Sequence, residues 1–229
     1  MDLIDALRST GAARAFRPDP VPDEVLARVL DTARFAPSGG NRQGWRVVVV
    51  HDPATRRAMR DLYVDAWYDY LALGAAGLTP WAPTNDRAAE ARALAAAPGI
   101  AEAARAGSGG FAEHLDEVPV LLVVLADLGA LAAVDRDLDR YTFAGGASIY
   151  PFTWSVLLAA RAEGLGGVVT TMSIRSEDRL KALLGAADHH AVAAVVALGR
   201  PVHQPTRLRR QAVADFTTVD RVDGPPFSA

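Results

Sequence analysis

The sequence predicts an α+β fold, and three observations support it. Apolar, β-branched runs at residues 45–50, 118–125 and 192–198 have the length and composition of buried strands. Amphipathic segments with helical spacing surround them, and the two kinds of segment do not alternate as βαβ units would. Half of the 229 residues are apolar, enough to bury one sizeable core, so a single domain over residues 1–229 is the simplest division.

In chain order, Leu3, Ile4 and Leu7 fall on one helical face, and Ser9, Thr10 and Gly11 end that helix. Pro18, Pro20 and Pro22 stiffen the connection. Asp23 and Glu24 suit a first helical turn, and Val25, Leu26, Val29, Leu30 and Ala33 form its apolar face, so a second helix should stop before Pro37. Trp45 to Val50 is the first strand. Residues 53–73 are again helical, whereas 74–85, with two prolines and two glycines, should be irregular. The Ala-rich run 86–97 favours helix, but Pro98, Gly99 and the glycines of 107–110 should interrupt the segment after it, so 74–110 reads as a mobile cover rather than core. Residues 118–125 form the second strand. The helical pattern over 143–163 contains Pro151 and should kink there or begin near Tyr150. Residues 164–167 end it; 168–172 read as a short strand, 176–184 as a helix with an acidic first turn, and 192–198 as the third strong strand. Residues 200–229 are polar and Arg-rich and should form a C-terminal arm, either disordered or wrapped over a partner surface.

Composition narrows the chemistry. A net charge of −3 without long Lys/Arg runs gives no electrostatic footprint for nucleic acid. The absence of cysteine excludes disulfides, thiolate metal ligands and a Cys nucleophile, so redox chemistry requires a bound cofactor. The acids near the start and the lack of a long apolar run argue against a signal peptide or membrane span, and a cytoplasmic location is the default expectation.

The most informative stretch is APSGGNRQGW at residues 36–45, between a helix and a buried strand. Gly39 and Gly40 let the backbone approach a ligand closely, Ser38 supplies a hydroxyl, and Asn41 and Gln43 supply the paired donors and acceptors that suit flavin carbonyls, ring nitrogens or ribityl hydroxyls. By residue types alone, an ordinary polar loop before a core Trp45 accounts for the stretch as well. The order of motifs, however, resembles the nitroreductase family. Arg14, Phe16, Pro20 and Val21 carry the first part; Ala36, Pro37, Ser38, Asn41, Gln43 and Trp45 the second; and Ala147, Ser148, residues 157–161 and Gly164, Leu165 and Gly166 the third.

The resemblance implies an α+β sandwich with a mixed, mainly antiparallel central sheet flanked by helices, in an intertwined homodimer whose subunits share FMN. It implies that Arg14 and a C-terminal arginine, Arg209 or Arg210, hold the phosphate, with Arg207 a further candidate. Guanidinium forks suit a dianionic phosphate. Pro37, Ser38, Gly39, Asn41 and Gln43 would contact the flavin, and the backbone of Val169, Thr170 and Thr171 would offer N–H groups to its ring. Many relatives carry a further Arg and a Ser where this chain has Gly11 and Ala12; either Arg8, Ser9, Thr10 or Arg207 compensates, or flavin binds more weakly or the cofactor differs.

Other motifs carry less. Residues 164–167 follow a helix and precede a strand, the reverse of a Rossmann phosphate turn. His189 and His190, adjacent in extended chain, should point to opposite faces, and no carboxylate accompanies them, so no metal site is expected. His51 with Asp52, and His114 with Asp116 and Glu117, lack a partner nucleophile. Trp67, Tyr68, Tyr70 and Trp81 are pocket, core or interface residues. The expected activity is hydride transfer from NADPH or NADH through flavin to an electron-poor acceptor such as a nitroaromatic or quinone, with no side-chain catalytic acid. The alternatives are a non-catalytic flavin-sequestering protein, or a same-fold enzyme performing deazaflavin-dependent reduction, dehalogenation or dehydrogenation.

Overall fold

The computed structural model describes residues 2–227. Four strands, β1 (Trp45–Val49), β2 (Val120–Asp127), β3 (Gly166–Thr170) and β4 (His190–Gly199), form one sheet in the order β1-β2-β4-β3, every pair antiparallel. Among the described residues the parallel component is a single bridge, Ala12 to Gly167.

Central position explains why β2 and β4 read as continuous apolar runs. Along β2, Val120, Leu122, Val124 and Ala126 face one core, while Leu121, Val123 and Leu125 face the other. The first core is closed by α2 (Asp23–Ala33) and α6 (Tyr150–Ala162), with Trp45 stacked on Phe152 at 4.7 Å between ring centroids. The second is closed by α3 (Pro53–Ala75) and α7 (Glu177–Leu184), through Met59, Leu62 and Leu180. A register shift between Val124 and Leu125 lets Ala193 and Ala194 of β4 face a single stretch of β2, the extra residue of a β-bulge. No helix among the described residues is long and apolar enough to cross a membrane.

Helix ends follow local chemistry. The Asp2 carboxylate accepts from the Ile4 N–H at 2.9 Å to start α1 (Leu3–Ser9), and Asp52 accepts from Thr55 N–H at 2.7 Å to start α3. Pro151 does not kink its helix: it lies in the first turn of α6, where its missing N–H is an orphan anyway, after a 3₁₀ turn over Ala144–Ser148.

Three expectations need correction. Pro98 and Gly99 do not interrupt a helix; they fall in the first turn of α5 (Ala97–Ala106), which follows α4 (Arg87–Leu94). Ala97 and Ala101 pack on Tyr68 and Ala72 of α3 in a small third core, so part of 74–110 is core. The second strand starts at Val120 rather than Val118, since Pro119 cannot donate to a ladder and Leu115–Glu117 forms a 3₁₀ turn. The third strand in sequence starts at Gly166 rather than Val168, because Gly166 and Gly167 pair with Gly199 and Leu198 of β4; on its other side the Ala13 N–H donates to the Gly167 carbonyl at 2.9 Å.

Candidate active site

The expected site residues fall into two groups at opposite edges of the sheet. At the β3 edge, the Ala13–Gly167 bond and a second bond, from the Val202 N–H to the Ala15 carbonyl at 3.0 Å, clamp the N-terminal segment between β3 and the chain leaving β4. Ala13 is buried by this clamp and Arg14, one residue on, is exposed. Arg14 lines a hollow of about 190 Å³ together with Tyr63, Trp67, Tyr70, Thr170 and Thr171, with Val169 also in its wall. The Tyr63 hydroxyl and Thr170 Oγ1 share a hydrogen bond of 3.0 Å. Burial pushes the Tyr63 phenol up, against the downward pull of that bond and of Arg14. Arg14 and Phe111 also line an adjoining cavity of about 470 Å³ that runs on past Phe16 and His114. The His114 ring lies between the Ser108 carbonyl at 2.8 Å and the Glu117 carboxylate at 3.1 Å, and both raise its pKa.

The C-terminal arm approaches this edge in the same chain. The Gln204 side-chain amide donates to the Gly11 carbonyl at 3.4 Å. A Cβ at Gly11 would come within 2.8 Å of Leu208 and 2.9 Å of Pro205, so the arm occupies the space a larger residue there would need. Arg209 and Arg210 come immediately after and are exposed, as is Arg207. Ser9 and Thr10 do not supply the missing donors: their hydroxyls donate to the Asp5 and Ala6 carbonyls of α1 at 2.6 and 2.7 Å.

At the β1 edge the loop before Trp45 is held in an unusual backbone. Gly40, Asn41 and Gln43 have φ of +60°, +52° and +50°, two of them non-glycine residues in the left-handed region. Of the bonds that stabilise this shape, two are internal to the loop and one comes from outside it. The Ser38 hydroxyl accepts from the Gln43 N–H at 3.0 Å, the Gln43 amide donates to Asn41 Oδ1 at 3.2 Å, and the Gly39 N–H donates to the Ser148 hydroxyl at 3.0 Å. Ser148, just before α6, therefore anchors the loop, a role that its match to a motif did not reveal. Pro37 instead lines an apolar groove with Leu3 and Phe35.

The structure thus brings Arg14 together with Val169, Thr170 and Thr171, and Ser38 with Gly39, Asn41 and Gln43, but does not bring the two groups together. Three inter-strand spacings, roughly 14 Å, separate the edges. Among the aromatic residues, Trp67 and Tyr70 line the hollow, Tyr68 turns into the third core, and Trp81 packs against Tyr70 beneath the Arg175 guanidinium. Tyr63 and Phe111 are wall residues that sequence spacing did not single out.

Two of the reasons given for His189 and His190, opposite faces and no accompanying carboxylate, need correction. His189 lies in a turn closed by the His190 N–H to Ala187 carbonyl bond of 3.0 Å, so strand alternation does not apply. The two rings lie 4.2 Å apart, and Asp127 accompanies them.

Residues 7–200 match the Nitroreductase family, and the chain belongs to it. It is 30% identical to an NADH dehydrogenase of Thermus thermophilus, over 89% of each chain. It is 24% identical to iodotyrosine deiodinase 1 of Mus musculus, over 93% of this chain and 67% of the relative. The fold is shared with the NADPH:FMN oxidoreductase of Vibrio harveyi solved in complex with NAD+, at TM-score 0.65 and 19% identity, over 96% of this chain and 77% of that one. Oxidoreductase is therefore the class, while relatives with different reactions leave the substrate open.

Proposed function

We propose that the chain is an FMN-dependent oxidoreductase that takes hydride from NADPH or NADH and reduces an electron-poor acceptor such as a nitroaromatic or quinone, working as a homodimer. The observation that carries this reading is the separation of the two residue groups. Arg14 and the turn at Thr170–Thr171 face a hollow at one edge, and a polar, left-handed loop waits at the other. A second copy placing its loop residues 38–43 over the first copy's hollow completes a site that one chain leaves in halves. The exposed apolar residues of α1, Leu3, Ile4 and Leu7, and nearby Phe35 fit burial in such a dimer.

The residues present fit FMN. Arg14, with Arg209 or Arg210 brought close by the arm, would bind the phosphate; Ser38, Gly39, Asn41 and Gln43 of the second copy, beside Pro37, would contact the ring and ribityl chain. Backbone N–H groups at Val169, Thr170 and Thr171 would stabilise negative charge on the reduced ring. Bound FMN supplies the two-electron chemistry itself. The protein would position donor and acceptor beside the ring and limit water there, with Trp67, Tyr70 and Phe111 as the apolar wall and the part of 74–110 outside the third core as the substrate-side cover. No side chain in the hollow is placed as an obligatory proton donor.

Anaerobic addition of NADH or NADPH to the FMN-loaded protein tests the reading. Rapid bleaching of the visible flavin band, restored by a quinone, is the expected result. The filling of the Gly11 space by the arm favours a second reading, a flavin-sequestering protein, since it leaves the phosphate grip one arginine short. Bound flavin that no hydride donor bleaches would select it, and failure to take up FMN would overturn both.

A further inference from the structure

We propose that Asp127, His189 and His190 form a binding site for a divalent transition-metal ion, of the class of Zn²⁺, at the end of the sheet that adjoins the loop before β1. The site stands independently of the flavin reading.

Register creates it. Asp127, the last residue of β2, is the cross-strand partner of His190, the first residue of β4. The turn before β4 then doubles His189 back beside them, fixed by the His190 N–H to Ala187 carbonyl bond of 3.0 Å and the Leu128 N–H to His189 carbonyl bond of 2.9 Å. Lys181 reinforces the turn by donating to the Asp188 carbonyl at 3.0 Å. One potential ligand atom from each of Asp127, His189 and His190 lies within 4.8 Å of the other two.

Two further features point to an ion. Nδ1 of His190 is buried and has no hydrogen-bond partner among the described residues, an uncommon state for a ring nitrogen and one that coordination through that atom would relieve. Only Oδ1 of the Asp127 carboxylate is engaged among the described residues, accepting from the Gly129 N–H at 3.0 Å, which leaves Oδ2 for coordination. An ion with bonds of about 2.0–2.2 Å needs ligand atoms roughly 3.3 Å apart, so the set must close by about 1.5 Å at most. His189 is exposed and Asp127 half-buried, so side-chain rotation suffices. Two imidazoles and one carboxylate select zinc, nickel or copper over magnesium or calcium, and water takes the fourth position.

The consequence is mechanical. The Asp127 N–H donates to the Gly44 carbonyl at 2.7 Å, directly after the loop that carries Ser38, Asn41 and Gln43. An ion held by Asp127 and the two histidines would pin the ends of β2 and β4 and, through Gly44, the exit of that loop.

The test uses untagged, chelator-treated, dialysed full-length protein titrated calorimetrically with ZnCl₂, with thermal melting in parallel. The expected result is a single tight equivalent per chain that raises Tm. His189→Ala, an exposed change that leaves the core intact, should weaken this equivalent at least tenfold with unchanged circular dichroism, and Asp127→Asn likewise. His203→Ala, at the far end of β4, should leave it unchanged. No tight equivalent in the wild type, an equivalent that survives both site variants, or equally tight binding of Mg²⁺ would overturn the proposal.

Discussion

The two edges of the sheet solve the problem of presenting polar groups in opposite ways. At the β3 edge, Arg14, Thr170 and Thr171 face an open hollow, and the fold positions them by clamping neighbours: Ala13 against Gly167, Ala15 against Val202. At the β1 edge, Ser38, Asn41 and Gln43 bond one another, and the loop holds two non-glycine residues at positive φ. The first half engages Thr170 Oγ1 with Tyr63 but leaves the Arg14 side chain exposed to the hollow; the second spends hydrogen bonds on its own shape. A pre-shaped loop binds with little further ordering cost, while an exposed arginine must be fixed by its ligand, so affinity should depend on the β3 edge and geometry on the β1 edge.

The sharpest break of this contrast is Arg14→Ala. Hydrogen bonds to a charged group are worth ~1.5–3 kcal/mol, so FMN should bind about 10- to 100-fold more weakly with Tm of the flavin-free protein unchanged. Flavin fluorescence titration measures it, and unaltered affinity would remove Arg14 from the phosphate site. Gly11→Ala comes next. Leu208 can swing away from the added methyl, but the Pro205 ring has less freedom. Overpacking of ~1–3 kcal/mol, at roughly 2–4 °C of Tm per kcal/mol for a chain of this size, should be visible by calorimetry, with weaker FMN retention as the arm lifts. Unchanged stability would mean the arm does not pack there in solution.

Ser148→Ala probes the other edge. Loss of the Gly39 N–H bond should cost about 1 kcal/mol and weaken FMN roughly fivefold, with the loss confined to the ring end. Loss of affinity as large as for Arg14→Ala would reverse the assignment of the two edges. The smallest effect concerns Asp135 in the connection from β2 to α6. The N–H groups of Phe143 and Ala144 and the Arg140 guanidinium point at its carboxylate, and the Phe143 bond leads in lowering its pKa from 3.8 to about 2. A depressed carboxylate stabilises the fold above its unfolded pKa, and that stabilisation is lost as pH falls from about 4 through about 2. Asp135→Asn should therefore be less stable at neutral pH and show a flatter acid limb; an unchanged limb in pH-dependent melts would remove Asp135 from the transition.

Much of this was legible in the chain itself. The strands at Val123 and Val195 declared themselves because burial on both faces demands continuous apolar runs; the half-buried edge strand from Trp45 did so through its β-branched residues, and α2 through one apolar stripe and an acidic first turn. The loop at 36–45 was recognisable from Ser38, Asn41 and Gln43. Local spacing could not show partnership. Ser148 bonds Gly39 from more than a hundred residues away, Tyr63 meets Thr170 across the hollow, and Pro205 and Leu208 fill the space beside Gly11. Asp127 and His190 become neighbours through strand register alone.

By itself, then, the sequence determined where the main helices, the strands and the polar loop lie, though not every boundary, since hydrophobic period and backbone preference are local properties. Only the tertiary structure decided that the two candidate halves lie on opposite edges of a four-stranded sheet, and that two histidines and an aspartate share one corner, because those facts depend on strand order and register, which long-range pairing sets.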